Sequence, residues 1–201
     1  MHKLINQYNR HVNTIHFLTI LILSGLICGI LLSQWIKSDV ISSLSTSMFS
    51  TILTDIDRAD FFISQFTGNI ILALIILFFG FSVIGMPFIS FVIFTKGVQI
   101  GFSCAMYLIT YQLKGMLGII LTLIPQVAFD AAAIFIISVI SFELSFELFK
   151  RCFINTKAIQ WKAVMDEKLN GVIISFILIL FSSLIKSTLV FFLMEIFALI
   201  Q

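Results

Sequence analysis

The sequence predicts an all-α, polytopic integral membrane protein with about five transmembrane helices and a proline-broken segment before the fourth. Three observations lead there. Of 201 residues, 60% are apolar and only 11% are charged, too few polar side chains to cover a soluble domain of this size. The apolar residues gather into runs that reach the roughly 18–20 residues a membrane-spanning helix requires. The few charges sit mostly between those runs, so their placement says more than the net charge of +2. Nothing in that charge implies a nucleic-acid partner; the lipid bilayer is the expected one.

A basic N-terminus, residues 1–14, precedes the first run, Ile15 to Ile36. That run is too long for the roughly 7–15-residue core of a cleaved signal, and no A-x-A-like site follows it. It reads as an uncleaved first span, with Trp35 at the far interface. Residues 37–68 form the sizeable polar segment beyond it. There Ile41, Leu44, Met48, Ile52 and Ile56 recur at steps of three or four, the stripe of an amphipathic helix lying on the outer leaflet. The stretch TDIDRADFF follows, and its Asp55, Asp57, Asp60, Phe61 and Phe62 are the candidate partner-binding residues.

The second span is expected over residues 69–95, with a kink at Pro87, and a short third over 97–113. The next apolar block, Gly115 to Phe149, is too long for one straight crossing. Pro125 divides it into a half-helix or dipping segment, 115–124, and a fourth span, 125–147. A basic segment, 148–170, leads to the fifth span, 171–200. With the N-terminus inside, five crossings place Lys3, Arg10, Lys96, Lys150, Arg151, Lys157, Lys162 and Lys168 in the cytoplasm. Lys37, Arg58 and Lys114 remain outside, which satisfies the positive-inside rule.

Catalytic and cofactor patterns are not found in the sequence. Cys28, Cys104 and Cys152 lie far apart without ligand spacing, and His2, His11 and His16 cluster at the N-terminus, away from other ligand types. No metal site, phosphate-cradling glycine loop or Ser/His/Asp set emerges, so neither a cofactor nor an enzyme activity is expected.

Polar residues inside the apolar blocks are the informative ones. Pro125 suits the first position of a helix, where its missing N–H is unpaired anyway. Asp130 then lies near the helix N-terminus, whose dipole favours a negative charge, and Gln126 stands four residues earlier on the same face. An unpaired carboxylate at mid-depth costs about 2.5–3.5 kcal/mol on insertion scales. Lys186, the basic residue of the last run, is its expected partner. The competing arrangement has a protonated Asp130 bonded to backbone, with Lys186 snorkelling outward. Glu143 and Glu147, followed by Lys150 and Arg151, read as a solvated helix end, with Glu147 and Arg151 in a favourable i,i+4 orientation. Glu195 is expected to reach water. Gly97 and Gly101 have small-xxx-small spacing, which favours packing within the chain and stays compatible with a homo-oligomer.

Residue patterns in the second and third runs resemble a known family. GFSVIGMPFISFVIFTKGVQIGF is similar to the membrane core of the stage II sporulation protein M family, G-x-S-x-x-G-x-P followed, after eight residues, by K-G-x-x-x-G-F. The matching positions are Gly80, Ser82, Gly85, Pro87, Lys96, Gly97, Gly101 and Phe102. Upstream, Phe62, Phe66 and Asn69 match F-x-x-x-F-x-x-N; downstream, Gly115 and Pro125–Gln126 also match. With the basic N-terminus and final span, the resemblance covers nearly the whole chain.

It implies a multi-pass protein of the mother-cell and septal membrane, needed for engulfment. Such a protein holds two wall-degrading partners, stage II sporulation proteins D and P, which carry the hydrolytic chemistry. Wider relatives often follow the proline with a His-Gly pair and a glutamate, and carry a glutamate in the last span. Here Gln126, Asp130 and Lys186 stand at those places, which weakens a transferred acid/base or ion-translocating role. The expected function is a scaffold that positions peptidoglycan-degrading partners. A small transporter or channel subunit using Asp130, Gln126 and Lys186 is the alternative. An intramembrane hydrolase lacks a nucleophile and base.

Overall fold

The computed structural model describes residues 2–35, 58–118, 124–153 and 161–200, with side chains for most of them. Within these residues the chain is helical throughout, apart from one tight turn. Helix α1 spans His2–Trp35, α2 Arg58–Gly80, α3 Gly85–Gly118, α4 Ile124–Phe153 and α5 Trp161–Ile200. Each contains a stretch long and apolar enough to cross a membrane, so the five-span architecture holds.

The helices alternate in direction. Gly80 of α2 lies against Ser141 of α4, and Lys168 of α5 meets Glu143 of α4, at the same end of the bundle as His11 of α1. We call this the first end. Gln65, Asp130 and Lys186 lie toward the opposite, far end. Helix α4 is central: 44% of its apolar span is buried, against 11% for α2. Ile134 and Ile137 of α4, with Leu18, Ile76, Ile89, Ile93 and Ile179 from the other helices, make the fully buried core. Large apolar side chains such as Phe78, Phe91 and Ile177 point outward, as lipid-facing residues should.

Two devices let the helices approach closely. Helices α1 and α3 run parallel and touch along glycines: a Cβ on Gly25 or Gly29 would strike the carbonyl oxygen of Phe94 or Val98. A Cβ on Gly97 or Gly101 would strike that of Ile22 or Leu26. With no hydrophobic drive between helices in lipid, such backbone contact supplies the attraction. Around α4 and α5 the small residue is serine. Ser138, Ser141, Ser145, Ser175, Ser182 and Ser183 are all buried. Ser175 and Ser183 donate to carbonyls one turn back on their own helix, Gly171 and Ile179, at 2.9 Å each.

The second crossing ends earlier than the sequence predicts. It closes at Gly80, and Phe81–Ile84 form the turn into α3. Ser82 organises that turn. Its carbonyl accepts from the Gly85 N–H at 3.1 Å and from the Ser145 hydroxyl at 2.7 Å, and its own hydroxyl accepts from the Ile84 N–H at 3.3 Å. Gly85 is required there, since a Cβ would collide with the Phe79 carbonyl. Pro87 therefore sits in the first turn of α3, where its missing N–H disturbs no helical bond, and the expected kink within a 69–95 span does not arise.

As a further correction, Lys96 does not end a span; it lies within α3, about a third of the way along the helix. Gly115 continues α3 rather than opening a half-helix, and residues 119–123 of that expected segment lie outside the described residues. The amphipathic stretch expected over 37–68 is described only from Arg58, where α2 begins, so Asp55 and Asp57 also lie outside.

Candidate functional site

The described ionisable side chains inside the bundle fall into two groups. Toward the far end, α3 contributes Lys96, Gln99 and Ser103 to the walls of one pocket; α4 contributes Asp130 and α5 Lys186. The α3 residues share a face because they follow the three- and four-residue steps of the helix. The pocket has a volume of about 150 Å³.

Lys96 is the ion-pair partner of Asp130, with Nζ 3.3 Å from Oδ2. Lys186 donates instead to the side-chain oxygen of Gln65 on α2. The expected Asp130–Lys186 pair is therefore replaced. Both residues line the pocket, but no ion pair joins them among the described residues. The reason is the early turn at Phe81–Ile84, which carries Lys96 into the bundle opposite Asp130.

One oxygen of the carboxylate remains unmatched: Oδ1 of Asp130 is buried with no hydrogen-bond partner among the described residues. Pro125 occupies the first turn of α4; the side chain of Gln126 lies outside the described residues. The two lysines and one aspartate leave the pocket with one positive charge in excess when all are ionised.

The first end holds a group that hydropathy alone did not single out. Glu143 is not a solvated helix end; its side chain is only 9% exposed. One carboxylate oxygen accepts from Lys168 of α5 and the other from Nδ1 of His11 on α1. A single side chain thus ties three helices. Beside it, Phe17 and Phe142 pack at 5.7 Å between ring centroids. The signal for this node was available in the chain order: α4 and α5 are antiparallel neighbours, so Lys168 at the start of one reaches the end of the other. Glu147 pairs with Arg151 at 3.1 Å, one turn apart on the same helix.

Gln65 and the buried serines were also missed. Ser138, Ser141 and Ser145 recur at steps of three and four, a pattern that marks a helix-packing face in a membrane protein. No group of three or more His, Cys, Asp or Glu able to hold a metal occurs among the described residues.

A family model described as stage II sporulation protein M matches residues 17–196. The chain belongs to the stage II sporulation protein M family. No curated protein and no solved structure matches it. The motif residues named from the sequence take distinct structural places in this family member. Gly80, Ser82, Gly85 and Pro87 build the α2–α3 turn; Gly97 and Gly101 contact α1; and Lys96 enters the polar pocket. Phe102 follows Gly101 on α3, and its backbone nitrogen lies where a Cβ on Gly29 would intrude. Phe62 and Phe66 stack on α2 at 5.6 Å, one turn apart from each other, with half-buried Asn69 next on the helix. Asp60 is exposed and Phe61 half-buried in the first turn of α2.

Proposed function

We propose that the chain is a membrane scaffold for endospore engulfment that positions peptidoglycan-degrading partners at the septal membrane. Membership in the family implies a role in sporulation; the scaffold mechanism goes beyond it. The observation that carries the mechanism is how the buried polar side chains are used. Glu143 ties α1, α4 and α5; Lys96 and Asp130 tie α3 to α4; Lys186 and Gln65 tie α5 to α2; and Ser145 holds the α2–α3 turn. Such ties favour one fixed arrangement of helices, as a platform for other proteins requires.

The basic segments favour an orientation with the first end in the cytoplasm and the far end toward the wall. In that orientation the exposed Asp60 faces the partners, which the family resemblance names as stage II sporulation proteins D and P; residues 37–57 lie outside the described residues. The transporter or channel reading draws on the far-end pocket. Its difficulty is that the face of α4 below Asp130 continues into fully buried Ile134 and Ile137, an apolar barrier to a through path.

Photocrosslinking from probes along residues 37–69 in sporulating cells tests the scaffold. Recovery of wall hydrolases at those positions is the expected outcome. Solute flux or wall digestion by the purified chain alone in liposomes would overturn it.

A further inference from the structure

The far-end pocket has features that bracing alone does not account for. Each lysine ammonium has three hydrogens to donate. Lys186 gives one to Gln65, and Lys96 approaches Asp130 at 3.3 Å, longer than the roughly 2.7–2.9 Å of a tight charge-assisted bond. Both ammoniums therefore keep donors for another acceptor in the same pocket, beside the polar side chains of Gln99 and Ser103. Opposite them, the buried Oδ1 of Asp130 is an acceptor without a donor among the described residues. At about 150 Å³ the pocket greatly exceeds the roughly 10–15 Å³ that one water requires. An anion that also carries a hydrogen-bond donor satisfies this whole set at once.

The pocket is walled by membrane-spanning helices, and flexible lysine stems can carry their ammoniums toward headgroup level.

We propose that this pocket binds a phosphate group bearing a neighbouring hydroxyl or amine, the chemistry of a phospholipid headgroup. The phosphate oxygens accept from Lys96 and Lys186, and the hydroxyl or amine donates to Oδ1 of Asp130. A lipid seated there contacts α3, α4 and α5 together and becomes part of the bundle's structure. Inorganic phosphate shares the anionic chemistry and is the alternative source.

The test uses the full chain purified in a neutral detergent, with thermal unfolding measured on adding one of three probes. These are short-chain phosphatidylglycerol, a neutral glycolipid with the same acyl chains, and inorganic phosphate. Phosphatidylglycerol at about 100 times its Kd should raise the Tm by about 5 °C, the glycolipid should not, and the rise should vanish in Lys96→Gln and Lys186→Gln. An equal rise with inorganic phosphate assigns the site to the free anion. A rise with the glycolipid, or one that survives both substitutions, overturns the proposal, as does no rise with either phosphate probe. If the variants fail to fold, a photoreactive group at Ser103 in the otherwise unchanged chain supplies the second measurement. It should capture phosphatidylglycerol carrying a headgroup label, and capture of the glycolipid in equal yield would overturn the assignment.

Discussion

The two ends of the bundle solve the same problem differently. At the first end one carboxylate, Glu143, is shared by His11 and Lys168, and both of its oxygens are matched. At the far end the carboxylate of Asp130 faces an excess of cations, yet only one of its oxygens has a partner among the described residues. The first arrangement is closed and holds helices together. The second has donors and an acceptor still to be used, which is the mark of a place where something binds. A buried ion pair is weak evidence for stability in itself, but removing one member leaves the other uncompensated.

That contrast yields a ranked set of tests. The largest loss is expected at the closed end. Glu143→Leu should lower unfolding free energy by about 2–3 kcal/mol, discounted from the full buried-pair penalty because His11 is half exposed. Denaturant titration in mixed micelles measures it, and a loss no greater than that of a surface pair would erase the distinction between the ends.

Asp130→Leu should cost less, about 1–2 kcal/mol, because Lys96 and Lys186 still share the pocket with the polar side chains of Gln99 and Ser103. Adding Lys96→Met should recover roughly 1 kcal/mol of that, since the pair is then removed as a unit; strictly additive losses in the double-mutant cycle would argue against the ion pair. Lys186→Met strands the Gln65 amide oxygen and should cost about 1 kcal/mol by the same titration. Arg151→Ala, which breaks the one-turn pair with Glu147, sets the baseline at no more than about 0.5 kcal/mol.

Much of the fold was legible because lipid imposes one strong rule: apolar runs become helices that pair their own backbone groups. The five crossings follow from it. What misled was Lys96. A local hydropathy window treats a lysine as the edge of a span, and it cannot register a counter-charge 34 residues away in sequence. With Asp130 opposite, the ammonium is tolerated within α3, and the crossing is set by the Gly80–Gly85 turn. The same blindness hid the node at Glu143, whose partners come from 132 residues upstream and 25 downstream. Asp130 and Lys186, singled out from the sequence, line one pocket, but the helix that completes their surroundings was not identified.

The glycine contact between α1 and α3 has a mechanical meaning. Two parallel rods whose main chains touch have no cushion of side chains to absorb sliding, so they translate as one piece. A pull along α1 at Trp35 is therefore shared with α3, the helix whose Lys96 holds the salt link to Asp130.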